Sequence, residues 1–149
     1  MICTNRFLRQ LPILACVLLA AAVTACDDSP TAPAPPFSQI DLRAGSGTAA
    51  ANGNTLTVFY TGWLHDNSKP DRKGLQFETN VGGTAFPFTL GAGQVIAGWD
   101  LGLQGIQPGG VRRLVIPPEL AYGTVRHGPI PPNATLIFEV EDTDVTVVQ

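Results

Sequence analysis

Beyond Phe37 the chain is written largely in a period of two, and that period constrains its fold more than any other feature. Leu56, Val58 and Tyr60 alternate with Thr57, Phe59 and Thr61. Successive side chains of a strand point to opposite faces, so the alternation predicts strands of a layered sheet. Val111-Arg112-Arg113-Leu114-Val115-Ile116 is a second such segment, halted by Pro117-Pro118. Thr135-Leu136-Ile137-Phe138-Glu139-Val140 is a third, with Leu136, Phe138 and Val140 on one side. Ala85–Leu90 and Val145–Val148 read as further strands. Pro87 lacks an N–H and confines the first of these to a sheet edge or a bulge.

One segment breaks the period. Across Gln94–Ile106, Ile96, Trp99, Leu103 and Ile106 recur at spacings of three and four, which predicts a helix. Gly98, Gly102 and Gly105 interrupt it, each at ~1 kcal/mol relative to Ala. Such a helix needs a sheet to lie on. The expected class is therefore α+β, a curved antiparallel sheet of about five strands wrapped around one short helix.

The 149 residues leave room for one domain plus a targeting segment. Cys3, Cys16 and Cys26 are the only cysteines, so nothing beyond residue 26 can form a disulfide or a Cys-type zinc site within the domain. From Cys26 onward seven bases face twelve acids, a net charge of −5. That balance argues against a nucleic-acid partner, which requires clustered Lys and Arg.

The N-terminus reads as an address. Arg6 and Arg9 precede an apolar run from Leu11 to Val23, the charged-then-apolar order of a secretory signal. The run is short for a membrane span, which takes ~20 residues. Val23-Thr24-Ala25-Cys26 resembles a bacterial lipobox, which implies cleavage before Cys26 and its acylation. Four prolines among Asp27–Pro36 make a semi-rigid tether. The expected organisation is a signal peptide over 1–25, a lipidated cysteine and tether over 26–36, and a globular domain over 37–149. The expected location is the bacterial cell envelope, lipid-anchored to the inner or outer membrane and facing the periplasm or exterior.

The constellations of bond-breaking catalysis are missing. His65 and His127 lie far apart, and neither stands in an H-E-x-x-H context. Ser46 lacks the spacing of a nucleophile elbow. Ile96 stands where the third glycine of a dinucleotide fingerprint would follow Gly91-Ala92-Gly93. Neither a metal nor a cofactor is expected. Rotation about an X–Pro bond needs none of these groups; it asks for an apolar, ring-lined site that excludes water.

Such residues are present in a telling order. Tyr60-Thr61-Gly62, Gln76-Phe77-Glu78, Phe86-Pro87-Phe88, Val95-Ile96-Ala97-Gly98-Trp99, Ala121-Tyr122-Gly123 and the run from Ile130-Pro131-Pro132 to Phe138 follow one another. In this order and spacing the chain resembles the FKBP-type peptidyl-prolyl cis-trans isomerases over roughly Ile40 to Val148. The resemblance implies a proline pocket floored by Trp99 and walled by Tyr60, Phe77, Phe86 and Phe138. It also implies Val95 and Ile96 at one lip, Ile130 on the far side and His127 near the rim. The Ile96 N–H and the Tyr122 hydroxyl would bind ligand carbonyls. Implied partners are proline-containing, partly folded polypeptides and macrolide inhibitors of the rapamycin type, met by a monomer. Glu78 stands where the family usually carries Asp, and Asn80-Val81-Gly82-Gly83-Thr84 holds no equivalent of an arginine that often pairs with that acid. A second reading therefore stays open, a non-catalytic proline-peptide-binding module or holdase. The stretch His65–Gly74 is expected to be a solvated loop.

Overall fold

The structure, a computed structural model, describes residues 33–147. The expected signal peptide, Cys26 and most of the expected tether lie outside them. Six strands occur among the described residues: β1 (Ser38–Arg43), β2 (Thr55–His65), β3 (Lys73–Thr79), β4 (Phe86–Thr89), β5 (Val111–Ile116) and β6 (Leu136–Thr146). One six-residue helix, α1 (Ala97–Gly102), precedes β5. All pairings are antiparallel, in the order β1-β5-β6-β2-β3. The free edge of β2 is divided: β4 pairs with Thr55–Val58 and β3 with Thr61–His65.

The period-two pattern does what it predicts on β5 and β6. Arg112, Leu114 and Ile116 are buried on the inner face, as are Leu136, Phe138 and Val140. Each such aliphatic side chain contributes ~1.5–3 kcal/mol by leaving water. The core closes with Leu56, Val58, Phe88, Leu90, Trp99, Leu103 and Ile106.

Alternation also splits the one basic pair of the sheet. Arg113 faces outward onto Glu139, which Lys73 joins at 2.7 Å. Arg112 turns inward, pairs with Asp41 of β1 and donates to the carbonyls of Gly102 and Gln104 at 2.9 and 2.7 Å. Those carbonyls are the orphans of a helix C-terminus, and a cation there satisfies them and opposes the helix dipole. One side chain thus ties β1, β5 and α1 together.

Four sequence expectations change in detail. The helix is shorter than Gln94–Ile106, because Ile96 is extended (φ −61°, ψ 147°) and Gly105 takes a positive φ of 75°. The buried face is still the expected one, since Trp99, Leu103 and Ile106 all point into the core. Val145 belongs to the end of β6 and not to a separate strand. β1 and β3 are additional; β1 is exposed along its whole length, and β3 reaches back to Lys73 and Gly74 in the stretch expected to be loop. Lys73 is drawn into the sheet because its ammonium sits over the Trp63 ring, 4.1 Å from the centroid, while bound to Glu139.

Helix and sheet approach closely because Gly98 and Gly102 carry no side chains. A Cβ on Gly98 would collide with the side chain of Ile116, and one on Gly102 would come within 2.6 Å of Leu114. The glycines that weaken the helix in isolation are what let it dock.

Candidate functional site

Trp99 lies in the first turn of α1 and projects its ring toward β2 and β6. It meets Tyr60 edge-on at 5.0 Å (84°) and Phe138 edge-on at 5.3 Å (88°), with Phe88 tilted against it at 5.7 Å. Edge-to-face contacts put positive ring edges on negative ring faces and hold the set rigid. The rings leave a hollow of about 170 Å³ whose lining includes Tyr60, Phe86, Trp99 and Phe138, together with Glu78, Gln94, Val95, Ile96 and Tyr122.

Eight of the eleven residues singled out from the sequence therefore share one hollow. Phe77, His127 and Ile130 stand behind it. The Phe77 ring meets Phe138 edge-on at 5.6 Å and backs that wall. His127 stacks flat on Tyr122 at 4.2 Å (5°). Ile130 is buried and bridges back to His127 through reciprocal backbone hydrogen bonds of 3.0 and 2.9 Å. This bridge pins the base of the loop that holds the His127–Tyr122 stack.

Backbone geometry completes the walls. Gly62 of β2 has no side chain where a Cβ would come within 2.6 Å of Phe77 and 2.8 Å of Phe138, so both rings can lie across the strand. At the gap between β3 and β4, Asn80 replaces the missing strand partner. Its Oδ1 accepts from the Tyr60 N–H at 2.7 Å, and its Nδ2 donates to the Val58 and Thr84 carbonyls at 3.1 and 3.2 Å. Asp100 accepts from the Gly91 and Gly93 N–H groups at 2.8 and 3.1 Å, which fixes the loop carrying Gln94, Val95 and Ile96. The Ile96 N–H has no hydrogen-bond partner among the described residues.

The electrostatics are those of a ring-lined site with one acid, Glu78, in its lining. Burial pushes the Tyr60 phenol up to about 12, and the Glu78 carboxylate beside it adds to the rise. Burial raises Tyr122 as well, again with help from Glu78. Both hydroxyls therefore stay protonated and able to donate at any physiological pH. The Trp99 indole N–H is buried without a partner, so the ring is retained there against a desolvation cost of ~1–3 kcal/mol.

The FKBP-type peptidyl-prolyl cis-trans isomerase domain model matches residues 46–141. An FK506-binding protein of Neisseria meningitidis is 47% identical over 105 residues, which cover 68% of this chain and 88% of that protein. The chain belongs to the FKBP-type isomerase family. A 46 kDa FK506-binding nuclear protein of Spodoptera frugiperda is 45% identical over 102 residues, and there the chain spans only 23% of the relative's length. Among solved structures, FkpA from Escherichia coli aligns with a TM-score of 0.64 at 39% identity, covering 76% of this chain and 49% of that one.

Three residues that shape this FKBP-type site escape sequence reading. Gln94 lines the hollow and accepts from the Thr89 N–H at 2.9 Å, while Asn80 and Asp100 act on it from behind. The only local signal for the last two is that Asn and Asp readily bond nearby backbone N–H groups. Which backbone groups come near is a tertiary fact.

Proposed function

We propose that this chain is a peptidyl-prolyl cis-trans isomerase that speeds X–Pro rotation in polypeptides folding in the bacterial envelope. The observation that carries the reading is the convergence of Tyr60, Phe86 and Phe138 on Trp99 around an open hollow. The barrier to rotation, ~18–20 kcal/mol, is amide resonance. The planar amide is more dipolar than the twisted one, so a water-poor apolar hollow disfavours it relative to the transition state. In this reading the proline ring rests on Trp99 between Tyr60, Phe86 and Phe138, beside Val95. The unpartnered Ile96 N–H and the Tyr122 hydroxyl hold the flanking carbonyls, and Phe77, Ile130 and His127 brace the wall and the loop. No nucleophile, metal or cofactor is required. A macrolide carrying a proline-like ring would compete for the same hollow.

The uncatalysed step takes ~10–100 s and can limit folding, which gives the activity a purpose outside the cytoplasm. The domain would be held there by acylation at Cys26, where two or more chains give stable anchoring. A cis-trans assay with proline tetrapeptides on the full-length chain tests the catalytic reading. A rate indistinguishable from background, in a sample verified as folded, sinks it. Intact mass of membrane-extracted protein should show an acylated Cys26, and Cys26→Ser should release the chain from the membrane.

A non-catalytic holdase using the same surface is the second reading. It is favoured by exposed apolar side chains: Phe86, which lines the hollow, is 40% exposed, and Val81 after β3 and Val125 after Tyr122 are 64% and 69% exposed. Capture of proline peptides without any effect on their rate would select it.

A further inference from the structure

We propose that Glu78 sets a preference for a basic residue next to the substrate proline. The inference rests on the isomerase reading of the hollow and adds a specificity that the ring cluster alone does not have. A hollow of about 170 Å³ admits one proline-sized group, so the residues on either side of the proline must lie across its rim. Phe86 is an exposed apolar part of the lining. Among the residues that line the hollow, only Glu78 carries a charge at neutral pH, and it is exposed.

No cation pairs with that carboxylate among the described residues. The four ion pairs among the described residues engage Arg43, Lys73, Arg112 and Arg113 with Asp41, Glu139 and Glu141, and none reaches Glu78. Asp100, the nearest acid in sequence to the hollow's floor, spends both oxygens on the Gly91 and Gly93 N–H groups. Arg126, on the loop beyond Tyr122, is exposed and does not line the hollow. Glu78 lines the hollow together with Tyr60 and Tyr122, and its carboxylate, beside the Tyr60 hydroxyl, adds to the rise that burial gives both phenols. A side-chain cation of a bound peptide would meet this carboxylate, while an acidic neighbour would be repelled.

The test uses the full-length protein and proline tetrapeptides that differ at one position, directly before or directly after the proline. Lys, its Nε-acetyl derivative and Glu are compared, so charge changes while the Lys stem is kept. In low salt kcat/KM should be about two- to fivefold higher for Lys than for acetyl-Lys at one of the two positions, the scale of an exposed ion pair. Glu should fall below acetyl-Lys. The ratio should shrink toward one at about 1 M salt, where the screening length is ~3 Å. Glu78→Gln should abolish the Lys to acetyl-Lys ratio whatever it does to absolute rates, and Arg126→Ala should leave that ratio unchanged. A ratio of one at both positions, or a ratio that survives Glu78→Gln, overturns the proposal. Absence of turnover on every peptide overturns the isomerase reading instead, and the same ratio taken from peptide dissociation constants then decides the role of Glu78.

Discussion

Phe138 and Asp142 sit four residues apart on the inner face of β6, and the two ends of that face behave in opposite ways. At Phe138 four aromatic rings prop one another apart and leave volume unfilled. At Asp142 the interior is closed: the side chain is 0% exposed and neither carboxylate oxygen has a hydrogen-bond partner. The period of two that buries Leu136, Phe138 and Val140 carries on to Asp142, and a bulge follows it, since Thr57 pairs with Asp144 and Val58 with Asp142, leaving Thr143 as the extra residue. One end gives up packing, and the polar atom orphaned there is a neutral donor, the Trp99 indole N–H. The other keeps its packing and leaves a polar group unsatisfied. A stable sheet tolerates both departures because the strands between them, through Val140, Val58 and Leu114, are regular and dry.

The comparison breaks first at Trp99. Trp99→Ala removes the ring that both the core and the hollow share, and urea denaturation should show a loss of ~3–5 kcal/mol, with isomerisation reduced to background. If stability fell while the rate held, the hollow would not be the working end of the face.

Asp142 offers the next largest effect, with the opposite sign. Burial raises its folded-state pKa from 3.8 to about 6, only partly opposed by the backbone N–H groups of Asp144 and Thr57, which lie near the carboxyl without forming a hydrogen bond to it. Between pH ~4 and ~6 the unfolded chain has released this proton and the folded chain has not, so stability falls as pH rises through that window. The penalty is complete above pH 6 and amounts to ~2–3 kcal/mol. Asp41 and Glu139 work the other way: Arg112 holds Asp41 low, and at Glu139 Lys73 and Arg113 together outweigh the upward push of burial, so that stabilisation is lost as pH falls below the ordinary carboxylate values of 3.8 and 4.5. The lowered pKa of His65, caused first by burial and then by Arg72, opposes the Asp142 trend in the upper part of the pH 4–6 window. Asp142→Asn should raise the unfolding free energy at pH 8 and flatten the profile between pH 4 and 6. A profile identical to that of the parent would show that the carboxylate finds partners in solution.

Smaller effects sharpen the picture of the hollow. Asn80→Ala strands the Tyr60 N–H and the Val58 carbonyl, at ~1–2 kcal/mol, and should slow isomerisation by loosening the Tyr60 wall. Chemical-shift changes confined to β2 near Tyr60, read by NMR, would confirm the route. Tyr122→Phe removes one hydroxyl from the rim and should lower kcat/KM about two- to tenfold without changing stability measurably, as for a single hydrogen bond. An unchanged rate would exclude that hydroxyl from carbonyl binding.

The sequence made the aromatic end more legible than the acidic end. Tyr60, Trp99 and Phe138 stand in segments whose periods of two and three-to-four aim them inward, and their order matches one family. Asp142 looked like any acid near a strand end, because its phase with Val140 counts only if β6 runs past residue 140, and that is decided by pairing with β2. β3 was hidden for a related reason: Lys73 joins the sheet only because Trp63 and Glu139 are there to receive it.

Residue periodicity and motif order by themselves determined the α+β class, the inward face of α1 and most of the residues around the hollow, because these depend on local geometry repeated along the chain. Tertiary structure alone decided which rings touch, that Phe77 and His127 stand behind the wall, that Asn80 fills the strand gap and that Asp142 is sealed inside. Those outcomes depend on strand register and on approach distances set by Gly62, Gly98 and Gly102. Register and approach are properties of pairs of segments far apart in the chain, and no single segment encodes them.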